Sequence, residues 1–394
     1  MKRGLQFSLV FVLYLSACLP VTNPAIAPGG AANSTPEDIP QLALSMTALS
    51  NLTATVSPTP AYPPEGYGPK NFPQDVDPLT GMKVTNTALL ERRPIIIKVS
   101  NLPRDVRPQW GLSLADIVYE YYIEEGTSRF AAIYYSKDAN QVGDIRSGRF
   151  FDAHLVRMYK AIFAFGSADY RVRDRLYAAE FANRLILEWQ AGCPAMCRFS
   201  PPRNYLLGNT SALSAYTTQK GIPNGRQNLD GMFFQLQAPA GGVPVQQVFV
   251  RYSAVIYNRW DYDPASGRFL RFSDKDNDLT GTNEIYEQLR DRLTSQPIAT
   301  DNLVILFLPH QFYSSVPEIV DIAFEGSGIA YAFRDGQAYQ VKWQRPAADS
   351  VLYMTNADGT FYPFKPGTTW FEVMGISTRV TQNVSDWRFL LYFP

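Results

Sequence analysis

Two arginines in a glycine-flanked loop are the side chains in this sequence best suited to hold a ligand. The loop reads Gly143-Asp-Ile-Arg-Ser-Gly-Arg149, which places Ser147 between Arg146 and Arg149. Two guanidinium groups at this spacing can hold a carboxylate or a phosphate from two directions through charge-assisted hydrogen bonds. Free N–H groups at the start of the helix predicted after the loop would add to the attraction for an anion. The spacing therefore predicts an anion-binding loop.

Three carboxylates offer a different chemistry. Asp116 and Glu120 lie on one face of a predicted strand, because side chains alternate along a strand, and Asp144 lies in the arginine loop. Carboxylates on one face could act as acid and base in the cleavage of a glycosidic bond. The alternative is structural: Asp116, Glu120 or Glu124 pairs with the loop arginines and joins the loop to a hairpin. Both interpretations stay open from the sequence.

Other catalytic and metal-binding patterns are weaker. The chain has only two histidines, His154 and His310, which disfavours histidine-based zinc sites, and no Gly-x-Ser-x-Gly motif supports a serine hydrolase. Asp274, Asp276 and Asp278 alternate as in calcium loops, but Leu279 and Ile285 replace the glycine and the glutamate that an EF-hand requires. A looser calcium loop and a solvated turn remain alternatives, and we expect no metal or cofactor.

The two downstream cysteines are separated by three residues, in Cys193-Pro-Ala-Met-Cys197. This spacing differs from the two-residue spacing of thioredoxin-type redox pairs. Outside the cytoplasm, a local disulfide between Cys193 and Cys197 is the favoured prediction, with a reduced pair as the alternative.

The elements that must position these residues follow from apolar patterning. The first half predicts alternating strands and helices: a strand over Pro94–Ser100, a hairpin of Asp116–Ile123 and Arg129–Ser136, a helix over Phe150–Tyr159, a strand over Ala161–Phe165 and a helix over Asp169–Ala182. The second half predicts short strands separated by turns, with one helix over Glu284–Leu293. The expected class is α+β, with a mixed α/β N-terminal domain followed by a β-rich C-terminal domain.

The N-terminus predicts export and lipid attachment. Lys2 and Arg3 precede a short apolar run that ends in Leu15-Ser-Ala-Cys18. The run is too short for a permanent membrane span, and its ending resembles the bacterial lipobox, in which cleavage precedes a cysteine that then carries lipid. An ordinary signal peptide with a chance cysteine is the alternative. We expect a signal peptide over residues 1–17, lipid on Cys18 and the cell membrane's extracytoplasmic face as location.

Composition predicts how the chain divides into a tether and domains. Residues 18–72 are rich in Pro, Ala, Ser and Thr and predict a disordered tether. The remainder suits two domains, 73–237 and 245–394, separated by a Pro/Gly cluster. The chain has 36 basic and 36 acidic residues, so no cationic excess supports binding to nucleic acid.

Several segments resemble one known family. They are Asp77-Pro-Leu-Thr-Gly81, Gly111-Leu-Ser-Leu-Ala-Asp-Ile-Val-Tyr-Glu120, Thr127-Ser-Arg129, the arginine loop, Gly326-Ser-Gly328, Arg334-Asp-Gly336 and Pro366-Gly-Thr-Thr-Trp370. Their order resembles the YerB-like lipoprotein family, defined by N- and C-terminal domains of unknown function. The resemblance implies a two-domain lipoprotein and supplies no activity. Where relatives tend to read Pro-His-Asn, this chain has Pro202-Arg203-Asn204, and it lacks a further family histidine near Asp276 to Asp278.

The sequence thus predicts a tethered extracytoplasmic lipoprotein that binds an anionic or peptide-like envelope component. The predicted ligand-binding residues are Arg129, which lies in the family-like segment of the hairpin, together with Arg146, Ser147 and Arg149. The alternative is an envelope hydrolase acting on glycan or peptide, with Asp116, Glu120 or Asp144 as acid or base; enzymatic activity is left undecided. The expected partners are the membrane, through the lipid anchor, and an envelope or cell-wall protein.

Overall fold

The strands of the first half are mostly apolar runs, and nearly all of their residues are buried, as the sequence predicts. The structure is a computed structural model that describes residues 62–200 and 204–393. Cys18, most of the predicted tether and Arg203 lie outside the described residues. The elements of the first half are β1 (Ile95–Ser100), β2 (Ile117–Tyr122), β3 (Ser128–Tyr134), α1 (Asp152–Met158), β4 (Ile162–Phe165), α2 (Tyr170–Tyr177), β5 (Leu185–Leu187), α3 (Glu188–Ala191), β6 (Met196–Phe199), β7 (Tyr205–Gly208) and α4 (Thr210–Gln219).

The second half is built of strands. They are β8 (Val243–Pro244), β9 (Gln247–Arg251), β10 (Tyr257–Asp263), β11 (Arg268–Asp274), β12 (Tyr286–Gln288), β13 (Ala299–Thr300), β14 (Asn302–Leu308), β15 (His310–Ser315), β16 (Glu318–Ile322), β17 (Gly326–Arg334), β18 (Gln337–Arg345), β19 (Tyr353–Thr355), β20 (Thr369–Gly375), β21 (Arg379–Gln382) and β22 (Asp386–Leu390). Short 3₁₀ turns cover Thr87–Glu91, Arg104–Val106, Leu112–Leu114 and Ala182–Arg184. The predicted α+β class, with a mixed first region and a β-rich second, is confirmed.

One large sheet runs through both halves of the chain. Its main order is β19-β18-β17-β14-β20-β2-β3-β1-β4-β5, and β8 adds to β18. The halves meet where β20 pairs in parallel with β2, with Tyr119 opposite Phe371. Strands on both sides of the predicted domain boundary, residues 237–245, therefore belong to the same sheet. That the two halves fold as separate domains remains a prediction.

The strand directions define an edge that matters for function. β1, β4 and β5 are parallel to one another, β2, β20 and β14 are parallel to one another, and β3 runs antiparallel to both β1 and β2. All six parallel strands consequently end at the same side of the sheet, which we call the carboxyl edge. In open sheets that contain parallel strands, this edge is where ligands usually bind.

A second sheet covers one face of the large sheet. Its order is β12-β11-β10-β9-β22-β21, with β13 paired to β11. Arg271 of β11 crosses between the sheets and donates to Glu120 of β2 at 2.6 Å and to Glu372 of β20 at 3.0 Å. All three side chains are fully or almost fully buried. Helix α1 lies on the other face of the large sheet, against Tyr119 and Tyr121.

The predicted helix over Glu284–Leu293 is wrong. Tyr286–Gln288 instead forms the edge strand β12, which pairs antiparallel with the end of β11. Asp291 ends this segment by accepting the N–H groups of Gly111 and Ser113 at 2.9 and 2.7 Å. These tertiary hydrogen bonds outweigh the weak local preference for a helix.

Replacing Arg271 tests the link between the sheets. Arg271→Met leaves Glu120 and Glu372 buried without their shared cation, so we expect the free energy of unfolding to fall by about 3–5 kcal/mol. Arg259→Met removes a more exposed guanidinium that pairs with Asp261, and it should cost no more than about 1 kcal/mol. Chemical denaturation of both variants gives the comparison. Equal losses would show that the buried network does not join the sheets energetically.

Candidate functional site

The arginine loop is inserted between two strands at the carboxyl edge. Arg146 N–H donates to the Lys98 carbonyl of β1 at 3.0 Å, and Gly166 N–H, just after β4, donates to the Arg146 carbonyl at 3.0 Å. A side chain at Gly143 would lie 2.6 Å from the Leu206 carbonyl, so this close approach requires glycine. The loop is thereby held as an additional strand-like segment, and its side chains lie where the parallel strands end.

Arg149 has a structural role. Its Nε donates to Glu124 Oε2 at 2.6 Å, its Nη2 bonds Glu124 Oε1, and its Nη1 donates to the carbonyls of Gly148 and Ser147. Glu124 lies in the turn between β2 and β3, so the pair fastens the loop to the hairpin. Arg149 thus pairs with Glu124 of the hairpin, as the structural alternative predicts.

Arg129 and Arg146 have fewer protein partners. Arg129 Nη1 donates to the Ser147 carbonyl at 2.8 Å, and its Nη2 lies 3.6 Å from Glu124 Oε1. Arg146 Nη2 lies 3.1 Å from Asp144 Oδ2, and one third of the Arg146 side chain is exposed. Within residues 62–200 and 204–393, neither guanidinium has another acceptor. Several N–H groups of these two arginines consequently remain available to a ligand.

A buried cluster that the sequence analysis missed forms the base of the site. Lys98 Nζ contacts Tyr121 OH and lies 3.3 Å from Asp152 Oδ1, and Tyr121 OH donates to the same carboxylate oxygen. Asp152 Oδ2 accepts the Arg149 N–H at 2.7 Å, which connects the cluster to the loop. Lys98 is the only charged residue of its apolar strand, and that was the signal that could have identified it.

Burial and crowding of positive charge set the electrostatics of the site. Burial lowers the pKa of Lys98 to about 7, although the Asp152 carboxylate opposes this effect. Burial and the nearby Arg149 lower the pKa of Arg129 to about 10. Arg146 also lowers the pKa of Arg129, and the Glu124 carboxylate opposes the effect of both neighbouring guanidiniums. A bound anion would relieve the repulsion between these guanidiniums.

A groove gives access to Arg129. It has a volume of about 450 Å³ and lies between the loop that follows β1 and the hairpin turn. Leu102, Pro103 and Arg104 line one side, and Glu124 to Arg129 contribute most of the other. A ligand held at Arg129 can therefore extend along this groove.

The three catalytic candidates are buried and bonded to the protein. Asp116 accepts the N–H groups of Tyr135 and Ser136 at 2.6 and 2.8 Å. Asp144 accepts the Leu206 N–H at 3.0 Å and pairs with Arg146. Glu120 is held by Arg271. The structure does not bring these carboxylates together as a pair that faces a cavity.

Ser147 lies at the rim of the site. Its hydroxyl is 2.8 Å from that of Ser167, which follows β4. His154 Nδ1 lies 3.2 Å from Arg345 Nη1, so this histidine is engaged elsewhere. Ser147 is thus placed to donate to a ligand.

The remaining predicted features do not line the groove that leads to Arg129. The structure joins the sulfurs of Cys193 and Cys197, with Cα atoms 4.8 Å apart, and their oxidation in the exported protein remains a prediction. Asp274 pairs with Arg104 and Arg107, and Asp278 pairs with Arg251. In the part of the chain that the structure describes, no group of three or more acidic, histidine or cysteine side chains is arranged to hold a metal ion.

Comparisons with known proteins agree with the motif-based resemblance. The chain is 29% identical over 309 residues to "Putative lipoprotein YerB" of Bacillus subtilis (strain 168), which covers 75% of this chain and 85% of the relative. The crystal structure of the YerB protein from Bacillus subtilis matches with a TM-score of 0.64 and 26% identity, covering 76% of this chain and 96% of the solved one. The models of the N- and C-terminal domains described as "Protein of unknown function (DUF3048)" match residues 79–222 and 248–371. The chain therefore belongs to the DUF3048 family and carries both of its domains.

Proposed function

We propose that this protein is a membrane-tethered extracytoplasmic lipoprotein that binds an anionic group of an envelope component at Arg129 and Arg146. The observation that carries the proposal is the set of Arg129 and Arg146 N–H groups that have no protein acceptor, at a place where three guanidiniums lie close enough to repel one another. Such groups form charge-assisted hydrogen bonds with carboxylates and phosphates. Arg149 fastens the loop to the hairpin, and the Ser147 hydroxyl adds a further donor.

The burial and hydrogen bonding of the three candidate carboxylates favour binding over hydrolysis. Asp116, Glu120 and Asp144 are all buried, and their oxygens accept hydrogen bonds from backbone or arginine N–H groups. A carboxylate that acts as acid or base must reach the substrate. None of these three carboxylates is exposed, whereas Arg146 keeps one third of its side chain exposed and can bind and orient an anion.

The proposed anchor is lipid on Cys18. The apolar run that ends in Leu15-Ser-Ala-Cys18 supports it, as does the lipoprotein name of the Bacillus subtilis relative. No helix among the described residues has both the length and the apolar character needed to cross a membrane. In this proposal the segment before residue 62 links the lipid to the folded part, because Tyr67 and Phe72 of the predicted tether already contact Phe234.

Removing the two available arginines should weaken anion binding. Each lost charge-assisted hydrogen bond to a ligand costs about 1.5–3 kcal/mol, so Arg129→Gln with Arg146→Gln should weaken binding by at least roughly tenfold. Titrations with inorganic phosphate and with a short peptide bearing a free C-terminal carboxylate measure the affinity. Arg157→Gln with Arg173→Gln, which removes two arginines of the helical layer, is the matched control. An unchanged affinity in the first variant would refute the proposal.

Removing Arg149 should act on stability instead. Its guanidinium is mostly buried and bonds both Glu124 and the loop backbone, so Arg149→Gln should lower the free energy of unfolding by about 1–3 kcal/mol. Thermal and chemical denaturation measure this loss. Arg157→Gln, which breaks a more exposed pair with Glu180, should cost less than about 1 kcal/mol. A phosphate affinity that falls more in folded Arg149→Gln than in the double variant would contradict this division of roles.

Lipid attachment is tested separately. In a bacterial host, Cys18→Ala should abolish acyl labelling and move the protein from the membrane fraction to the soluble fraction, because the lipid is the proposed anchor. Cys193→Ala with Cys197→Ala, which keeps Cys18, is the control for loss of the other two cysteines. Membrane association that survives Cys18→Ala would exclude the proposed anchor.

A further inference from the structure

A second groove adjoins the one that leads to Arg129. It has a volume of about 290 Å³, and Arg104 lines both grooves. The second groove lies between the loop after β1 and the β11–β12 edge of the second sheet. The two grooves therefore lie side by side where β1 and β11 end, with Arg104 between them.

Arg104 forms a fixed divider between the two grooves. Its Nε donates to Asp274 Oδ2 at 2.7 Å, its Nη1 to Asn277 Oδ1 at 2.9 Å and its Nη2 to the Val255 carbonyl at 3.0 Å. Arg107 shares the same Asp274 carboxylate. Protein acceptors thus hold both guanidiniums. These two arginines would attract an anion through their charge more than through hydrogen bonds to it.

Two other cations of this groove are free of carboxylate partners. Lys275 and Arg290 are exposed, and over the described ranges neither forms an ion pair; Arg290 donates only to the Ser295 carbonyl, at 3.1 Å. The groove holds four basic residues, Arg104, Arg107, Lys275 and Arg290, against two acidic ones, Asp274 and Glu287, which leaves an excess of two positive charges. Positive charge is therefore in excess in this second groove, next to the groove that leads to Arg129.

We infer that the ligand is a linear polyanion that occupies both grooves, with one anionic unit at Arg129 and Arg146 and another at Lys275 and Arg290. This inference rests on the proposed function and names its ligand class. A chain with an anionic group on successive units would neutralise both sites, and its second contact would be intramolecular once the first has formed. A small anion would occupy only one site.

Chain length is the variable that tests the inference. Binding of the full-length protein in detergent micelles is compared for inorganic phosphate, long-chain inorganic polyphosphate, glutamate and poly-L-glutamate. We expect at least one polymer to bind at least roughly tenfold more tightly than its monomeric unit, since linked sites gain affinity without new contacts. The polymer whose affinity exceeds that of its monomer by the larger factor identifies phosphate or carboxylate as the repeating anion.

A paired substitution locates the second contact. Lys275→Gln with Arg290→Gln should reduce polymer affinity by at least roughly tenfold and leave phosphate affinity unchanged. Lys342→Gln with Arg379→Gln, on strands at the other ends of the two sheets, removes the same charge and should have little effect on polymer affinity.

The outcomes separate this inference from the proposed function. The inference that the ligand is a polyanion would be wrong if the polymers bind no more tightly than their monomers. It would also be wrong if Lys275→Gln with Arg290→Gln leaves the polymer affinity unchanged. Phosphate binding that still depends on Arg129 and Arg146 would leave the proposed function standing. Equal losses in the control pair would show non-specific attraction and would also overturn the inference.

Discussion

The contact of Arg271 with Glu120 and Glu372 is the interaction on which the remaining structure depends. One guanidinium lies between two carboxylates that belong to neighbouring strands of the large sheet, and the first and second halves of the chain contribute one carboxylate each. Burial and the nearby Glu120 raise the pKa of Glu372 to about 8. Arg271, which donates to both carboxylates, opposes this rise and supplies the positive charge between them.

This network also sets the position of the site. Glu120 Oε1 accepts from Asn101 Nδ2 at 3.0 Å and from Ser128 Oγ at 2.6 Å. Asn101 follows β1 and Ser128 precedes Arg129, so the buried carboxylate holds both sides of the edge where the ligand is proposed to bind. On the opposite face, Lys98, Tyr121 and Asp152 connect that edge to α1.

The arginines of the site divide into two roles because of their acceptors. Arg149 has carboxylate and carbonyl partners for most of its N–H groups, so it fixes the loop. Arg129 and Arg146 keep donors that the protein does not use. Sequence alone could not make this distinction, because the spacing of Arg146 and Arg149 says nothing about which acceptor each one meets.

Local sequence patterns predicted the elements that short-range interactions stabilise. The β2–β3 hairpin and helices α1 and α2 followed from alternation and helical periodicity, since their partners are near in sequence. The pairing of β20 with β2 joins residues far apart in the chain, and no local pattern encodes it. The same limit explains the wrong helix at Glu284–Leu293, where distant backbone groups recruit Asp291, and the missed role of Lys98, whose partners come from β2 and α1.

The central claim is that Arg129 and Arg146 hold an anion together, and locating that anion tests it most directly. Crystals of the protein soaked in selenate, a phosphate analogue with a strong anomalous signal, would show where it binds. We expect an anomalous peak within hydrogen-bonding distance of both guanidiniums, which disappears in Arg129→Gln with Arg146→Gln. Selenate bound at other arginines, with none between these two, would contradict it.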